Sequence, residues 1–297
     1  MKLIQLVDSL EYVRTNCWQH QLMNHLSKEA SEHKIVTLAE LATSSLPDTD
    51  IILSTLKLRS LARECKLLKS RLGDRQVFIY EQDPWENFTD QGSCRGTYEW
   101  CRENLNVKSF IITSQWWADY VASQGFKTRF TQMWMNDILC DEGTPWSSRP
   151  INVGFMGTLH PHRKKAIAEL ARLGIDVQVF PSKSYDEYLN TLSQMQFFFH
   201  DEASANWTID GKLIEQNALW AKEIEIASRG CFALRQYESE AEAYMAGQIP
   251  CILPFLDIAD LPGIIRTALE NPMSDAYSKI SVEMIRSHRG WFKLTDL

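Results

Sequence analysis

Short, continuous apolar runs alternate with longer segments whose apolar residues recur at helical spacing. In the first half these runs are KLIQLV (2–7), HKIVTLA (33–39), TDIILST (49–55), QVFIYEQ (76–82) and SFIITS (109–114). Continuous apolar runs are typical of parallel strands that are covered on both faces. The alternation therefore predicts an α/β layered domain with parallel strands and crossover helices.

The same pattern restarts in the second half. Residues 136–150, NDILCDEGTPWSSRP, are rich in Gly, Pro, Ser and acidic residues, which favours a linker. The runs beyond it are INVGFMG (151–157), VQVF (177–180), QFFFH (196–200), CFAL (231–234) and IPCIL (249–253). We therefore predict an α/β protein with two Rossmann-like parallel-sheet domains facing a cleft, residues 1–140 and 141–278. Ligands of open parallel sheets bind outside the carboxyl ends of the strands, so the residues after each predicted strand are the candidates for a site.

Charge and cysteine content exclude several classes of protein. The formal net charge is −7 and the chain has no block of five or six like charges, so neither a nucleic-acid-binding stripe nor a polybasic membrane anchor is indicated. The seven cysteines are scattered without a CxxC pair, which favours reduced thiols in a cytoplasmic protein. The first apolar run is too short for a signal-peptide core, and no apolar stretch is long enough to span a membrane.

The turn after residues 151–157, in GTLHPHRKK, carries the first candidate site. Gly157 permits a tight turn, and His160, His162 and Arg163 collect around the start of the next helix. A helix N-terminus favours anions, so these added cations predict a phosphate site, with a solvated basic helix start as the alternative. Neither GxxxxGK[ST] nor GxGxxG occurs, so the fingerprints of a P-loop and of a Rossmann dinucleotide site are missing.

Two further candidates follow later in the chain. His200 in QFFFHDE directly follows an apolar run, where it would contact a ligand or be a buried histidine with satisfied hydrogen bonds. In WAKEIEIASRGCFAL, Glu223 and Glu225 lie in a mostly apolar helix that Gly230 ends. Charged residues are rarely buried without a partner, so this segment either has a solvated face or directs one carboxylate into a site.

Residues 150–275 resemble GT-B glycosyltransferases, and most nearly their CgeB-like, spore-maturation type group. In many of these enzymes a segment of the form E-x7-E-A-x-A-x-G, followed by an apolar strand, closes the nucleotide pocket. Residues 225–234 match the second half of this pattern, while Asn217 stands at the place of its first glutamate and Lys222 at that of a common arginine. YESEAEAYMAG and FLDIADLPGIIRTALENP follow the layout of the group, and the first half of the chain matches in layout only.

The resemblance implies roles for the candidates in the second domain. Glu225 would accept hydrogen bonds from the ribose hydroxyls of a nucleotide-sugar. Arg163 and Lys222 would stabilise the leaving diphosphate electrostatically, without a bound metal ion. The predicted donor site is completed by Gly157, His160, His162, His200 and Gly230. The terminal helix, residues 279–297, would pack back on the first domain.

The acceptor side has fewer candidates. Asp8 and Asp83 end predicted strands of the first domain, and an inverting transferase needs a general base within reach of the acceptor hydroxyl. The alternatives are a helix N-cap for Asp8 and a turn residue for Asp83. Trp85, Trp116 and Trp117 would form a sugar-stacking wall, although core packing is the more ordinary place for tryptophans in a chain that has ten.

The leading hypothesis is therefore a cytoplasmic, metal-independent glycosyltransferase that moves a sugar from a nucleotide-sugar donor to an unidentified acceptor hydroxyl. Two alternatives stay open: a non-catalytic two-domain protein that binds a nucleotide or sugar, and a GT-B-shaped nucleotide-sugar epimerase. The acidic charge argues against a nucleic-acid acceptor. The sequence does not specify the donor sugar, the base, the acceptor, the stereochemistry or the oligomeric state.

Overall fold

The computed structural model of the protein describes residues 1–11, 17–132, 135, 137–181, 184–200, 207–214, 221–237, 248–287 and 293–294. The chain divides into two compact units. The first comprises residues 1–132, 206–216 and 290–297, and the second comprises residues 133–205 and 217–289. Each unit is built around one parallel sheet, which confirms the prediction of two parallel-sheet α/β domains.

The sheet of the first unit has six strands. They are β1 (Lys2–Val7), β2 (Glu32–Thr37), β3 (Ile51–Ser54), β4 (Val77–Glu81), β5 (Val107–Ile112) and β6 (Thr128–Phe130). All are parallel, in the order β2-β1-β3-β4-β5-β6. The helices between them are α1 (Cys17–Glu29), α2 (Leu38–Thr43), α3 (Leu58–Arg63), α4 (Cys65–Leu72), α5 (Trp85–Phe88), α6 (Thr97–Asn104) and α7 (Gln115–Ser123).

An apolar core fixes helices α6 and α7 on one face of this sheet. Tyr98 of α6 stacks on Phe110 of β5 with ring centroids 4.2 Å apart. Trp117 of α7 is fully buried, and its neighbour Trp116 stacks on Tyr120 at 5.5 Å. Trp116 and Trp117 therefore belong to the packing of the first unit, which is the alternative to a sugar-stacking wall.

A two-stranded antiparallel hairpin, β10 (Thr208–Ile209) and β11 (Lys212–Leu213), also belongs to the first unit. Asp210 and Gly211 form its turn with φ angles of 50° and 72°. Two positive φ angles in a row are what a two-residue hairpin turn of the Asp-Gly type requires.

The sheet of the second unit has five strands. They are β7 (Ile151–Met156), β8 (Val177–Phe180), β9 (Met195–His200), β12 (Phe232–Gln236) and β13 (Ile252–Phe255). All are parallel, in the order β13-β12-β9-β7-β8. Its described helices are α8 (Pro161–Arg172), α9 (Tyr185–Leu192), α10 (Ala221–Ser228), α11 (Leu261–Glu270) and α12 (Ser274–Ser287).

Much of the segment 136–150, which the sequence analysis interprets as a linker, packs within the second unit. Trp146 is buried, and its indole Nε1 donates to the carbonyl of Gln196 at 2.7 Å. The buried guanidinium of Arg149 donates to the carbonyls of Thr144, Met195, Glu142 and Arg229. The division between the units thus falls near residue 132 instead of 140, because these two side chains tie the segment to the second sheet.

Helix α12 also lies in the second unit, so the predicted boundary at residue 278 cuts through it. Its buried face is made largely of serines, and the Ser278 hydroxyl donates to the carbonyl of Gly230 at 2.7 Å. Residues 290–297 belong to the first unit. Among them, Leu294 donates its backbone N–H to the carboxylate of Glu29 at 2.8 Å.

Among the described residues, no helix is both long and apolar enough to cross a membrane. The cysteines whose side chains are described carry free thiols, namely Cys65, Cys94, Cys101, Cys140, Cys231 and Cys251.

Candidate functional site

The carboxyl ends of β7 and β9 lie side by side in the second sheet, and the turn after β7 brings the first cation to this edge. Gly157 has a φ of 151°, and a Cβ there would lie 3.3 Å from the ring of Phe155. The chain therefore passes close over this ring before α8 begins. Arg163 in the first turns of α8 donates to the carbonyl of Thr158 at 3.0 Å, and its guanidinium lies 5.6 Å from the centre of the Phe155 ring.

The two histidines beside Arg163 are exposed. Their rings, those of His160 and His162, stack with centroids 5.7 Å apart, and His160 occupies the N-cap position of α8 without a side-chain hydrogen bond to the helix. They flank the predicted phosphate position at the helix N-terminus, where backbone N–H groups favour an anion.

Lys222 is the second cation at this edge. Helix α10 follows β9 and leads into β12, so its first turn lies at the carboxyl-end side of the sheet. The ammonium of Lys222 donates to the carbonyl of Met156, the last residue of β7, at 3.3 Å. It lies 5.3 Å from the ring of Tyr188 and 5.6 Å from that of Phe198, distances at which a cation is attracted to an aromatic face.

Arg235 is a third cation, which the sequence analysis does not identify. It is 1% exposed, lies beside His200 in the register of β12 and β9, and forms a buried ion pair with Glu223. Its guanidinium lies 4.7 Å from the ring of Tyr237. Glu223 also approaches His200, with 3.8 Å between its Oε1 and the imidazole Nδ1. Glu223 therefore has a structural reason to be charged in an apolar segment, because it neutralises Arg235.

Burial, and then the positive charges of Arg235, Lys222 and Arg163, hold the pKa of His200 well below its ordinary value. His200 is therefore neutral at pH 7 and offers a hydrogen bond without adding charge. Arg163 and Lys222 are held by backbone carbonyls, which leaves their positive charge to act on the strand ends. The edge formed by β7, β9 and the start of α10 is consequently suited to an anion.

Glu225 lies on α10, about one turn after Lys222, and is 4% exposed. Its carboxylate accepts a hydrogen bond from Tyr188 Oη at 3.1 Å and one from Tyr185 Oη at 3.4 Å. Both tyrosines lie on α9. The side chain is thus directed away from solvent, into a polar pair of hydroxyls.

Gly230 lies away from the cluster formed by Arg163, Lys222 and His200. It precedes β12, at the amino end of the sheet, with a φ of 60°. A Cβ there would lie 2.3 Å from the Ser278 hydroxyl of α12. Its place in the structure is explained by the close approach of α12 and not by a neighbouring cation or histidine of the cluster.

The two aspartates predicted for the acceptor side lie in the first unit. Asp8 follows β1 and its Oδ2 accepts the backbone N–H of Lys57 at 3.0 Å. Asp83 follows β4, and burial together with the charge of Glu86 raises its pKa to about 6. Glu81, the last residue of β4, is not among the candidates predicted from the sequence; it is 3% exposed and accepts the backbone N–H of Asp83 at 2.7 Å.

Trp85, a further candidate for a sugar-stacking wall, stacks on Trp207 with ring centroids 4.5 Å apart. Asn217 lies outside the described residues. Among the described residues, no group of three or more His, Cys, Asp or Glu side chains is placed to hold a metal ion.

No protein-family model matches the chain, and no curated protein sequence matches it. Solved structures match its fold over nearly the whole length. An alpha-glucosyltransferase in complex with UDP-glucose and DNA containing an abasic site has a TM-score of 0.61 at 12% identity, covering 99% of this chain and 97% of that one. Alr3699/HepE of Anabaena in complex with UDP has a TM-score of 0.61 at 13% identity, covering 98% and 96%.

A Listeria monocytogenes protein classed as a UDP-N-acetylglucosamine 2-epimerase matches with a TM-score of 0.52 at 10% identity, covering 97% of this chain and 91% of that one. At such identities the likeness shows the fold alone. The chain has the two-domain α/β fold of GT-B glycosyltransferases.

Proposed function

We propose that the protein is a glycosyltransferase that moves a sugar from a nucleotide-sugar, without a metal ion, to an acceptor hydroxyl. The proposal is carried by one observation: Arg163, Lys222 and a neutral His200 converge at the carboxyl ends of neighbouring parallel strands. The fold match to enzymes that bind UDP or UDP-glucose supports UDP as the nucleotide. The sequence layout favours the CgeB-like group, and the free thiols favour a cytoplasmic location.

Each donor-side residue has a role in this proposal. Arg163 and Lys222 bind the diphosphate and stabilise the charge that develops as it leaves, which is the work that a metal ion does in other transferases. The backbone at Gly157 and the N-terminus of α8, with His160 and His162 beside it, complete the anion site.

Glu225 accepts hydrogen bonds from the ribose hydroxyls. It is already a hydrogen-bond acceptor for two hydroxyl groups, those of Tyr185 and Tyr188. A ribose diol offers the same two donors, so binding exchanges one kind of hydroxyl for another at a buried carboxylate.

On the acceptor side, Asp83 is a better candidate for the base than Asp8. Its raised pKa of about 6 makes it ionised at pH 7 and still basic enough to take a proton. In a direct displacement, the acceptor O–H bond breaks and its proton goes to Asp83, while the oxygen forms a bond to the anomeric carbon. The bond from that carbon to the diphosphate oxygen breaks, and its electron pair leaves with the nucleotide.

Nucleotide binding is the first test. UDP should raise the melting temperature of the protein, with a stabilisation of about 2.7 kcal/mol at a concentration of 100 times Kd. Arg163→Gln and Lys222→Gln should reduce this stabilisation, and Lys165→Gln, an exposed cation on the same helix as Arg163, should not. The absence of any shift with UDP and with the other nucleoside diphosphates would reject the proposal.

The fold match to an epimerase favours that activity as the second candidate. Incubation with UDP-sugars separates the two. A transferase releases UDP as the sugar moves to water or to an added acceptor, whereas an epimerase gives an isomeric UDP-sugar and a non-catalytic binding protein leaves the UDP-sugar unchanged.

A further inference from the structure

Glu81 is a buried carboxyl group in the first unit for which the proposed mechanism has no role. It is the last residue of β4 and is 3% exposed. Its Oε1 accepts the backbone N–H of Asp83 at 2.7 Å. Its Oε2 is buried and has no hydrogen-bond partner among the described residues. A buried carboxylate would demand a cation or several donors, and this surrounding supplies neither to Oε2.

The groups that face Glu81 and Asp83 are more acidic than basic. Asp83 precedes helix α5 and Glu86 lies within it, and helix α6 contributes Tyr98 and Cys101, whose pKa values are raised above all by burial. Lys57 and Arg59, at the start of α3, act on Asp83. The buried Tyr98 hydroxyl also has no hydrogen-bond partner among the described residues. The positive charges thus favour ionisation of Asp83, whereas the surroundings of Glu81 favour the neutral acid.

The two carboxyl groups consequently ionise in order. Burial raises the pKa of Glu81 to about 8, and the charge of Asp83 adds to the effect. The pKa of Asp83 is raised only to about 6. When two carboxyl groups share one buried site, one of them keeps its proton while the other ionises. At pH 7 the single negative charge therefore lies on Asp83.

We propose that Glu81 is a positioning residue for the acceptor-side base, an uncharged carboxylic acid that holds the backbone of Asp83 and leaves the negative charge on the Asp83 carboxylate. This inference rests on the proposed transfer to an acceptor hydroxyl. Glu81 touches neither substrate, and it acts through the Oε1 contact to the Asp83 N–H.

The test compares Glu81→Gln and Glu81→Ala with the wild type, in full-length protein. The amide of Gln keeps the acceptor for the Asp83 N–H and is uncharged at every pH, so it imitates the protonated acid. Ala removes the acceptor. Glu103→Gln, the same chemical change at an exposed position of α6, is the control. The first readout is UDP release from a UDP-sugar with water as acceptor, followed from pH 5 to pH 9.

At pH 7 we expect Glu81→Gln to keep kcat within about twofold of the wild type, and Glu81→Ala to lower kcat by about tenfold with an unchanged donor KM. The wild type should lose activity above about pH 8, where Glu81 ionises beside Asp83, and Glu81→Gln should keep it. Glu103→Gln should follow the wild type throughout. A loss of kcat in Glu81→Gln as large as that in Glu81→Ala would overturn the inference. So would the same loss of activity above pH 8 in Glu81→Gln as in the wild type.

A second readout needs no activity and works even if Glu81→Ala does not fold. The melting temperature of Glu81→Gln minus that of the wild type should increase from pH 5 to pH 8, because only the wild type must ionise a buried acid or retain its proton. A constant difference would show that Glu81 has an ordinary pKa and would overturn the inference. If the protein binds no nucleotide but this difference increases with pH, the proposed function fails while the protonation of Glu81 stands.

Discussion

At the scale of single residues, the proposed ribose contact of Glu225 can be tested directly. A ribose that binds this carboxylate would share it with the hydroxyls of Tyr185 and Tyr188 or replace them. We expect Glu225→Gln to weaken UDP binding by about 1–3 kcal/mol, because a charged acceptor loses its hydrogen bonds to two hydroxyl donors. Isothermal titration calorimetry measures this, with Asp186→Asn, an exposed acid on α9, as the control. An unchanged Kd in Glu225→Gln would exclude the ribose contact.

The buried pair of Glu223 and Arg235 makes a prediction about stability. Both side chains are almost fully buried, so removal of the carboxylate leaves a buried guanidinium without its counter-charge. Glu223→Gln should lower the free energy of unfolding by about 3–5 kcal/mol, measured by urea denaturation.

A double variant is the control for this pair. Glu223→Leu combined with Arg235→Met removes both charges, and it should recover a large part of the loss because apolar residues replace a buried ion pair at little cost. If the single and double variants are equally unstable, packing and not charge neutralisation is the contribution of Glu223.

His200 makes a prediction about pH. Its pKa in the folded protein is well below the value of about 6.5 in an unfolded chain. Its contribution to stability is therefore present above pH 6.5 and is lost as the pH falls from there toward the folded pKa, because only the unfolded chain takes up the proton. We expect His200→Gln to reduce the fall in melting temperature between pH 7 and pH 5. His160→Gln, an exposed histidine, should leave that fall as in the wild type.

Position in the sequence selects His200, which follows a predicted strand, and Arg163, which begins the helix after one, whereas Lys222 is selected by the resemblance to GT-B glycosyltransferases. It does not select Arg235 or Glu81. Arg235 lies within the strand segment FALRQ, and Glu81 ends VFIYE. A charged residue at the end of an apolar run is compatible with a solvated strand end, and only the tertiary packing reveals that both side chains are buried.

At the scale of secondary-structure elements, the hairpin of β10 and β11 depends on one carboxylate. Asp90 Oδ2 accepts the Thr208 hydroxyl at 2.7 Å and the backbone N–H of Gly211 at 2.8 Å. Asp90→Ala removes an ionised acceptor from two donors, and we expect the local stability of the hairpin to fall, so that its amides exchange faster. Hydrogen exchange of the amides at 208–213 measures it directly.

The matched control for Asp90 is Asp119→Ala, because Asp119 also accepts a side-chain hydrogen bond but lies on α7. In Asp119→Ala, hydrogen exchange of the hairpin amides should be the same as in the wild type. Equal exchange rates in Asp90→Ala and the wild type would mean that the stacking of Trp85 on Trp207, at 4.5 Å, holds the hairpin without help from Asp90.

This hairpin is not predicted from the sequence, although TIDGKL contains the Asp-Gly pair that is typical of one. Each of its strands has only two residues, too few for an alternating pattern to appear. The short edge strand β6 is missed for the same reason, since TRF contains a single apolar residue. The longer strands are predicted within a few residues because their apolar runs are covered on both faces.

At the scale of the whole molecule, the periodicity of apolar residues predicts both sheets, but composition does not predict the position in the sequence at which one unit ends and the next begins. The polar, Gly- and Pro-containing segment before β7 has the composition of an open linker, yet Trp146 and Arg149 bury it against the second sheet. Likewise, residues 279–297 are predicted to form a separate terminal helix, but α12 begins at Ser274 and runs past that boundary. Boundaries depend on which side chains find partners far along the chain, and local composition does not contain that information.

The last part of α12 provides the final prediction, on the independence of the second unit. Two fragments, residues 133–289 and 133–278, differ only in this part of the chain. In both, a Gly-Ser linker replaces residues 207–214, because the hairpin contacts the first unit. The longer fragment retains buried Val282 and Ile285, each contributing about 1.5–3 kcal/mol, and the hydrogen bond from the Cys251 N–H to Ser281 Oγ.

Together these contributions are comparable with the whole stability of a small domain, about 5–15 kcal/mol. We therefore expect cooperative urea unfolding of fragment 133–289 and none of fragment 133–278, followed by circular dichroism. Only the longer fragment should gain stability from UDP, since the proposed donor residues lie entirely within the second unit. Equal unfolding midpoints for the two fragments would mean that the part of α12 after Ser278 is dispensable for the second unit. The structure makes the opposite case, because buried Val282 and Ile285 and the hydrogen bond from the Cys251 N–H to Ser281 are present only in the longer fragment.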